Sequence, residues 1–189
     1  MEIQITQDLV QKKSITPNDA GCLQYIEDFL SQRGFINETL TFGRVKNLWS
    51  VKRNNGPLLV FLGHVDVVPT GPENEWEHDP FSGYDDGTFI NGRGTGDMKG
   101  GIACFMSALS RIDVDSLNYS IGFLITADEE GPSKDGTVKV VEELLQRNEK
   151  IDYCLIGEPS TLETVGDNIR IGRRAVSYTH LRAHETTVY

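Results

Sequence analysis

Three short segments that consist almost entirely of apolar residues constrain the fold of this chain more than any other feature. They lie at residues 58–62, 119–126 and 151–156. Strands that are covered on both faces have this composition, whereas a strand with one solvated face alternates apolar and polar residues. Between these segments, residues 100–112 and 137–148 have the apolar periodicity of amphipathic helices. Helices interspersed with apolar strands predict an α/β domain with a central sheet flanked by helices.

Other segments complete the predicted secondary structure. Residues 47–53 form a further strand, which an Asn-Asn-Gly-Pro turn joins to the next strand. A first helix is predicted to begin at Thr16 and Pro17 and to end at Gly34, because these residue types suit the N-cap, the first turn and a left-handed C-terminal cap. Residues 69–96 are rich in Gly, Pro, Asn and Asp. They predict a long loop, which inside a compact domain is usually functional.

The composition excludes several classes of protein. The chain has 189 residues and a formal charge of -10, so electrostatic repulsion opposes binding to nucleic acid. No apolar run approaches the roughly 18 residues needed to cross a bilayer, and the N-terminal residues lack the apolar core of a signal peptide. Cys22, Cys104 and Cys154 are widely spaced and indicate neither a disulfide framework nor a cysteine metal clip. We therefore expect a cytoplasmic protein with a small-molecule substrate and no nucleic-acid or membrane partner.

Potential metal ligands follow each of the three apolar strands directly. These residues are His64, Asp66, Asp128, Glu129, Glu130 and Glu158. Asp97 lies between the first two strands, in the glycine-rich turn GRGTGDMKGG just before a predicted helix. In an open α/β sheet, binding sites form beyond the carboxyl ends of the strands. One imidazole and several carboxylates are therefore expected to meet at one edge of the sheet.

Such a cluster predicts a metal centre with hydrolytic chemistry. Several carboxylates in one pocket cannot all stay ionised without a counter-charge, which divalent cations supply. One nitrogen ligand among oxygens suits Zn, Co or Mn better than Ca. A bridging carboxylate would allow two ions about 3.5–4 Å apart, the spacing of co-catalytic hydrolase sites. A neighbouring carboxylate that is not a ligand can then accept a proton from water.

Each candidate residue also has an ordinary structural interpretation. His64 can be a hydrogen-bonded structural histidine that Asp66 orients, and Asp97 can simply cap the following helix. Glu129 and Glu130 can be a solvated acidic pair, and the carboxylate that precedes Pro159 can belong to a plain loop. The glycine-rich turn lacks the Lys-Ser/Thr pair of a phosphate-binding loop. The coincidence of ligands at several strand ends favours a shared site.

The motifs GHVDVVP, GRGTGDMKGG, DEEG and IGEP, in this order and spacing, resemble those of the M20 metallopeptidase family of di-zinc deacylases and exopeptidases. The resemblance covers residues 1 to about 175. It implies a three-layer zinc-exopeptidase-like catalytic domain, in which a central mixed β-sheet is flanked by helices. It also implies two divalent metal ions, Zn or Co, as cofactors.

The resemblance assigns roles to residues by position. His64, Asp97 and Glu158 would hold one ion, and Asp97 would bridge to a second ion that Glu130 also binds. Glu129 would be the general base that activates water and the acid that protonates the leaving amine.

Asp66 and Arg173 complete the site that the resemblance implies. Asp66 would orient the imidazole of His64, and Arg173 would bind a substrate carboxylate. The segments ITPNDAGC and GDNIRIGRR favour members that hydrolyse N-succinyl-LL-2,6-diaminopimelate to succinate and LL-2,6-diaminopimelate, a step in lysine and diaminopimelate biosynthesis. Two alternatives stay open at this point: another M20 deacylase such as acetylornithine deacetylase, and a non-catalytic metal-binding fragment.

The last residues depart from the pattern of the family. After GRR, the family continues with an inserted lid and dimerisation domain and a C-terminal catalytic segment that supplies a second histidine ligand. Here residues 176–189 read VSYTHLRAHETTVY, most of which resembles a translated sequencing adapter. We therefore predict a non-native tail, and we do not count His180 or His184 as ligands. The expected organisation is an incomplete catalytic domain at residues 1–175, nearly inactive by itself, from a parent protein that forms a homodimer.

Overall fold

The computed structural model describes residues 1–164 and 166–170. Residues 1–159 form one compact unit, which contains all of the helices and strands given below. The described residues contain four α-helices: α1 (Glu2–Val10), α2 (Cys22–Ser31), α3 (Gly100–Leu109) and α4 (Thr137–Gln146). They also contain seven strands: β1 (Ile36–Phe42), β2 (Val45–Lys52), β3 (Leu58–His64), β4 (Tyr84–Asp85), β5 (Ile90–Asn91), β6 (Ser120–Thr126) and β7 (Tyr153–Ile156).

Five of these strands form a mixed sheet in the order β1-β2-β6-β3-β7. β1, β2 and β6 pair antiparallel, whereas β3 pairs parallel with β6 on one side and with β7 on the other. β2 and β3 follow each other in the chain, but β6 lies between them. Asn54 in the connecting turn contacts the chain that leads into β6, since its side chain donates hydrogen bonds to the carbonyl oxygens of Val114, Leu117 and Tyr119.

Helices cover both faces of the sheet, so the fold has three layers. On one face α1, α2 and α3 share a core with β2, β3 and β6, in which Leu9, Ile26, Met106 and Phe123 are fully buried. On the other face α4 packs against β2, β3 and β6 through Val140 and its neighbours. All seven residues of β6 are buried, as its apolar composition predicts. The same expectation is wrong for β7, whose four residues are all exposed because β7 is the last strand in the sheet order.

The helices and strands predicted after residue 46 are confirmed to within a few residues at their ends. The predicted loop at 69–96 is also confirmed, since its regular structure is limited to one short 3₁₀ turn, the two-residue strands β4 and β5 and the start of a helical turn at Thr95–Lys99. No helix among residues 1–164 and 166–170 is long and apolar enough to span a membrane.

The predicted start of the first long helix is wrong. α2 begins at Cys22, whereas the backbone N–H of Thr16 donates to Val67 O and Ile15 bridges to Val67. The segment before α2 therefore pairs with the chain beyond β3 instead of continuing the helix. The predicted cap is confirmed: Gly34 has a φ of 76°, and Phe35 N–H donates to Leu30 O as in a Schellman motif. α1 and β1 have no counterpart in the prediction.

Candidate metal centre

The register of the parallel strands brings the predicted ligands to one edge of the sheet. His64 is the last residue of β3 and lies opposite Thr126, the last residue of β6. On the other side Leu62 lies opposite Ile156, where β7 ends. We call residues 128–130, which follow β6, the acidic turn. The acidic turn and the loop that carries Glu158 after β7 therefore leave the sheet on either side of the same imidazole.

Three carboxylates surround one nitrogen of that imidazole. His64 Nε2 lies 3.0 Å from Asp97 Oδ1, 3.4 Å from Glu158 Oε1 and 3.9 Å from Glu129 Oε2. Two groups of potential ligand atoms meet here, each within 4.8 Å: His64 with Asp97 and Glu130, and His64 with Glu129 and Glu158. The imidazole is 1% exposed, while the side chain of Asp97 is 54% exposed. The imidazole therefore lies at the buried end of the cluster, and the Asp97 carboxylate lies at its solvent-exposed end.

Asp66 holds the other side of the imidazole. His64 Nδ1 lies 2.9 Å from the backbone oxygen of Asp66 and 3.5 Å from its carboxylate. If Nδ1–H donates to that backbone oxygen, Nε2 presents its lone pair to the carboxylates. The carboxylate of Asp66 also accepts hydrogen bonds from the backbone N–H groups of Glu129 and Glu130, at 3.1 to 3.2 Å. Asp66 thus contacts the imidazole mainly through its backbone oxygen and holds the turn after β6 through its carboxylate.

The shifted pKa values of His64, Glu129 and Glu130 indicate that the site stabilises positive charge and disfavours further negative charge. Burial by itself lowers the pKa of His64, but hydrogen bonds to Asp66, Asp97 and Glu158 outweigh it and raise that pKa to about 12. Burial and the negative charge of Asp97 raise the pKa of Glu130 to about 7. Burial also raises the pKa of Glu129. The carboxylates that stabilise positive charge on His64 would equally stabilise a divalent cation beside Nε2, so these donors fit a metal ion.

The turn that carries Asp97 packs closely against the strand ends. Met98, which follows Asp97 across a cis peptide bond, is fully buried. A Cβ atom at Gly63 or at Gly157 would lie only 2.6 Å from Met98 Cε, and one at Gly101 would lie 2.6 Å from Gly157 O. The glycines therefore allow the turn, β3 and the chain after β7 to approach each other. Sequence reasoning missed Met98, although the glycines that flank each strand end were a signal of close packing.

Asp128 does not reach the cluster, although it follows β6 like the other candidates. It is 3% exposed, and its Oδ2 accepts hydrogen bonds from the backbone N–H groups of Lys134 and Asp135. Asp128 thereby organises the loop after β6. Arg173, His180 and His184 lie outside the described residues, as does the predicted boundary at residue 175, so those predictions stay predictions.

Comparison with known proteins places this architecture in a family. The profile of peptidase family M20/M25/M40 matches residues 60–188. The chain belongs to this family. Metallopeptidases of the M20 family use divalent metal ions, and the cluster around His64 provides candidate ligands for them.

Curated relatives and solved structures agree with this placement. Two bacterial proteins named succinyl-diaminopimelate desuccinylase are 53% and 50% identical to this chain, from Hydrogenovibrio crunogenus and Marinobacter nauticus. Each alignment covers 95% of this chain and 48% of the relative, so the chain spans about half the length of these relatives. An M20 metallo-carboxypeptidase from Sulfolobus solfataricus, at 22% identity, matches 82% of this chain and 37% of its own with a TM-score of 0.70. The predicted three-layer fold of this family is confirmed.

Replacing Asp66 with Asn is expected to weaken both the fold and the metal centre. Asn keeps one oxygen acceptor but turns an N–H donor toward the backbone donors of the acidic turn. Loss of a buried hydrogen bond to a charged group costs about 1.5–3 kcal/mol, and loss of an outer partner of a metal-binding histidine costs roughly 10–100-fold in affinity. Urea unfolding in EDTA and calorimetric titration with Co²⁺ measure the two effects.

Asp115→Asn is the matched control for this prediction. Asp115 is a surface carboxylate, 75% exposed, that pairs with Lys52. Its substitution is expected to change neither quantity measurably. Wild-type stability and wild-type Co²⁺ affinity in Asp66→Asn would contradict the positioning role.

Proposed function

We propose that this site hydrolyses the amide bond of N-succinyl-LL-2,6-diaminopimelate, releasing succinate and LL-2,6-diaminopimelate. The observation that carries the proposal is the crowding of three carboxylates around His64 Nε2, beside an acidic turn that Asp66 holds in place. The names of the curated relatives support the choice of substrate. The product belongs to lysine and diaminopimelate biosynthesis, and we infer that the protein acts in the cytoplasm on this small molecule.

The proposed cofactors are two divalent ions, Zn or Co. His64, Asp97 and Glu158 would hold the first, and Asp97 and Glu130 would hold the second. When bound, the ions would supply positive charge that favours ionisation of water and polarises the amide carbonyl. The mixed set of one nitrogen and several oxygens suits this class of metal ion.

Glu129 would carry the protons in this reaction. Its carboxylate would accept a proton from the attacking water and later donate it to the nitrogen of the leaving amine. The raised pKa of Glu129, caused first by burial, suits a group that must hold a proton between these steps. Glu129 also lies close enough to His64 and Glu158 to be a ligand itself. Its substitution by Gln distinguishes the two roles.

Arg173 is the proposed partner of a substrate carboxylate, because a guanidinium binds carboxylates through two hydrogen bonds. We also propose that the protein acts as part of a longer chain that forms a homodimer, with a further histidine completing the second metal site. Activity of the 189-residue chain by itself is therefore expected to be low.

The direct test is an assay of two acylated amino acids with the metal-loaded chain. Purified protein with Zn²⁺ or Co²⁺ is incubated with N-succinyl-LL-2,6-diaminopimelate and, separately, with N-acetylornithine, and the free amine is followed over many hours. Slow release from the succinyl substrate alone, abolished by EDTA, is the expected result. Faster release from the acetyl substrate would make the protein another M20 deacylase. Failure to bind either metal would overturn the proposed metal centre.

A further inference from the structure

Lys99 is a completely buried lysine close to the candidate metal centre. Its side chain is 0% exposed, and its ammonium donates hydrogen bonds to the carbonyl oxygens of Leu9, at 2.9 Å, and Lys12, at 3.0 Å. Leu9 lies in the last turn of α1, where the helix dipole is negative, and Lys12 follows just after the end of the helix. Burying an ammonium is costly unless such groups compensate it. The two carbonyl oxygens therefore compensate the burial of the Lys99 ammonium.

The same residue ends the turn that carries Asp97. Lys99 N–H donates to Gly94 O at 3.0 Å, which closes the turn on itself before α3 begins. A Cβ atom at Gly94 would lie 2.4 Å from Val67 Cγ1, so the turn also lies directly against the chain beyond β3. The carboxylate of Asp97 is more than half exposed, and its position relative to His64 depends on this backbone. A shift at Lys99 would therefore move Asp97.

The N-terminal segment that accepts the lysine also holds the chain around Asp66. Ser14 Oγ donates to Val65 O at 2.6 Å, Val67 N–H donates to Ser14 O, and Thr16 N–H donates to Val67 O. One continuous stretch, residues 9–16, thus contacts two of the segments that carry candidate site residues: the chain around Asp66 and the turn that carries Asp97. We call this stretch the N-terminal brace.

We infer that Lys99 is a positioning residue for the metal centre, whose buried ammonium locks the Asp97 turn onto the N-terminal brace. The lysine does not touch substrate or metal. It acts by setting the distance and angle between the Asp97 carboxylate and His64. The inference rests on the proposed metal centre and goes beyond it, because it assigns the N-terminal brace a role in metal binding.

The test compares Lys99→Met with Ser107→Ala. Met keeps most of the length of the lysine and removes all of its hydrogen-bond donors. Ser107 on α3 is 2% exposed and donates to Glu2 at the N-terminal end of α1. Its substitution by Ala therefore weakens the contact between α1 and α3 at the end of α1 opposite to Lys99. For each variant of the 189-residue chain, Co²⁺ affinity is measured by calorimetry, the visible spectrum is recorded at saturating Co²⁺, and thermal unfolding is followed in EDTA.

Lys99→Met is expected to bind Co²⁺ roughly 10- to 100-fold more weakly, with a changed visible spectrum at saturation. Ser107→Ala is expected to unfold at a lower temperature but to keep both the affinity and the spectrum of the wild type. If Lys99→Met gives no cooperative unfolding transition, and so is not folded, Lys99→Gln replaces it. Gln has a shorter side chain with a neutral donor, and the same loss of Co²⁺ affinity and change of spectrum are expected. A wild-type spectrum and affinity in the lysine variant would overturn the inference. Failure of the wild-type chain to bind Co²⁺ would instead overturn the proposed metal centre.

Discussion

Replacing Glu129 with Gln is expected to lower amide hydrolysis roughly 10²- to 10⁴-fold while leaving metal binding intact. Gln has nearly the same shape as Glu but cannot accept a proton from water or return it to the leaving amine, and general acid–base catalysis contributes about this factor. The Glu129 carboxylate lies 3.9 Å from His64 Nε2, farther than those of Asp97 and Glu158. This larger distance is consistent with a base beside the ligands.

The measurement separates the proton-transfer role from the ligand role. Metal content is determined by atomic spectroscopy after gel filtration, and hydrolysis rates are divided by bound metal over long incubations. Glu142→Gln is the matched control, since Glu142 lies on α4, its side chain is 52% exposed, and it pairs with Lys139 on the same helix. Loss of metal from Glu129→Gln would show that Glu129 is a ligand. Hydrolysis equal to that of the wild type would rule out both roles.

Replacing His64 with Ala is expected to abolish stable metal binding. Both groups of potential ligands in the described part of the chain share this imidazole, so its loss affects every arrangement of ions that the cluster allows. The affinity should fall by more than the roughly 10–100-fold that the loss of an outer partner costs, because a direct ligand is removed. The remaining carboxylates would also repel one another without the positive charge that His64 or the metal provides.

His78→Ala is the matched control for the His64 experiment. His78 lies in the long loop, with its ring 3.7 Å from that of Tyr84, and it belongs to neither ligand group. Calorimetric titration with Co²⁺ should show undiminished affinity for this variant and none measurable for His64→Ala, with circular dichroism confirming that both are folded. If His64→Ala binds Co²⁺ as tightly as the wild type, the metal centre lies elsewhere in the chain.

Much of the candidate site could be predicted because its determinants are local in sequence. Each apolar strand runs directly into polar residues, and parallel strands place such residues at the same edge of the sheet. His64, Glu129, Glu130 and Glu158 meet for this reason. Asp128 has the same local signature but faces away, because the loop after β6 folds back so that backbone N–H groups bind its carboxylate.

Other features depend on contacts between residues that are distant in sequence. α1 is a short segment whose β-branched residues give it little intrinsic helix preference. Contacts to α3 through Glu2 and to Lys99 at its C-terminal end stabilise it. The turn after β2 is likewise joined to the chain before β6 by Asn54, which donates to carbonyl groups some sixty residues away.

The amino-acid sequence by itself determined which elements form the central part of the domain and which chemical groups can meet at its edge. Strand composition and the order of the ligands are enough for that, because both follow from local burial and from the direction of parallel strands. Only the tertiary structure decided how those groups are arranged. Close packing around Met98 and the hydrogen bonds of Asp66 hold the Asp97 turn and the turn after β6 beside His64, and these contacts join segments that the sequence keeps far apart.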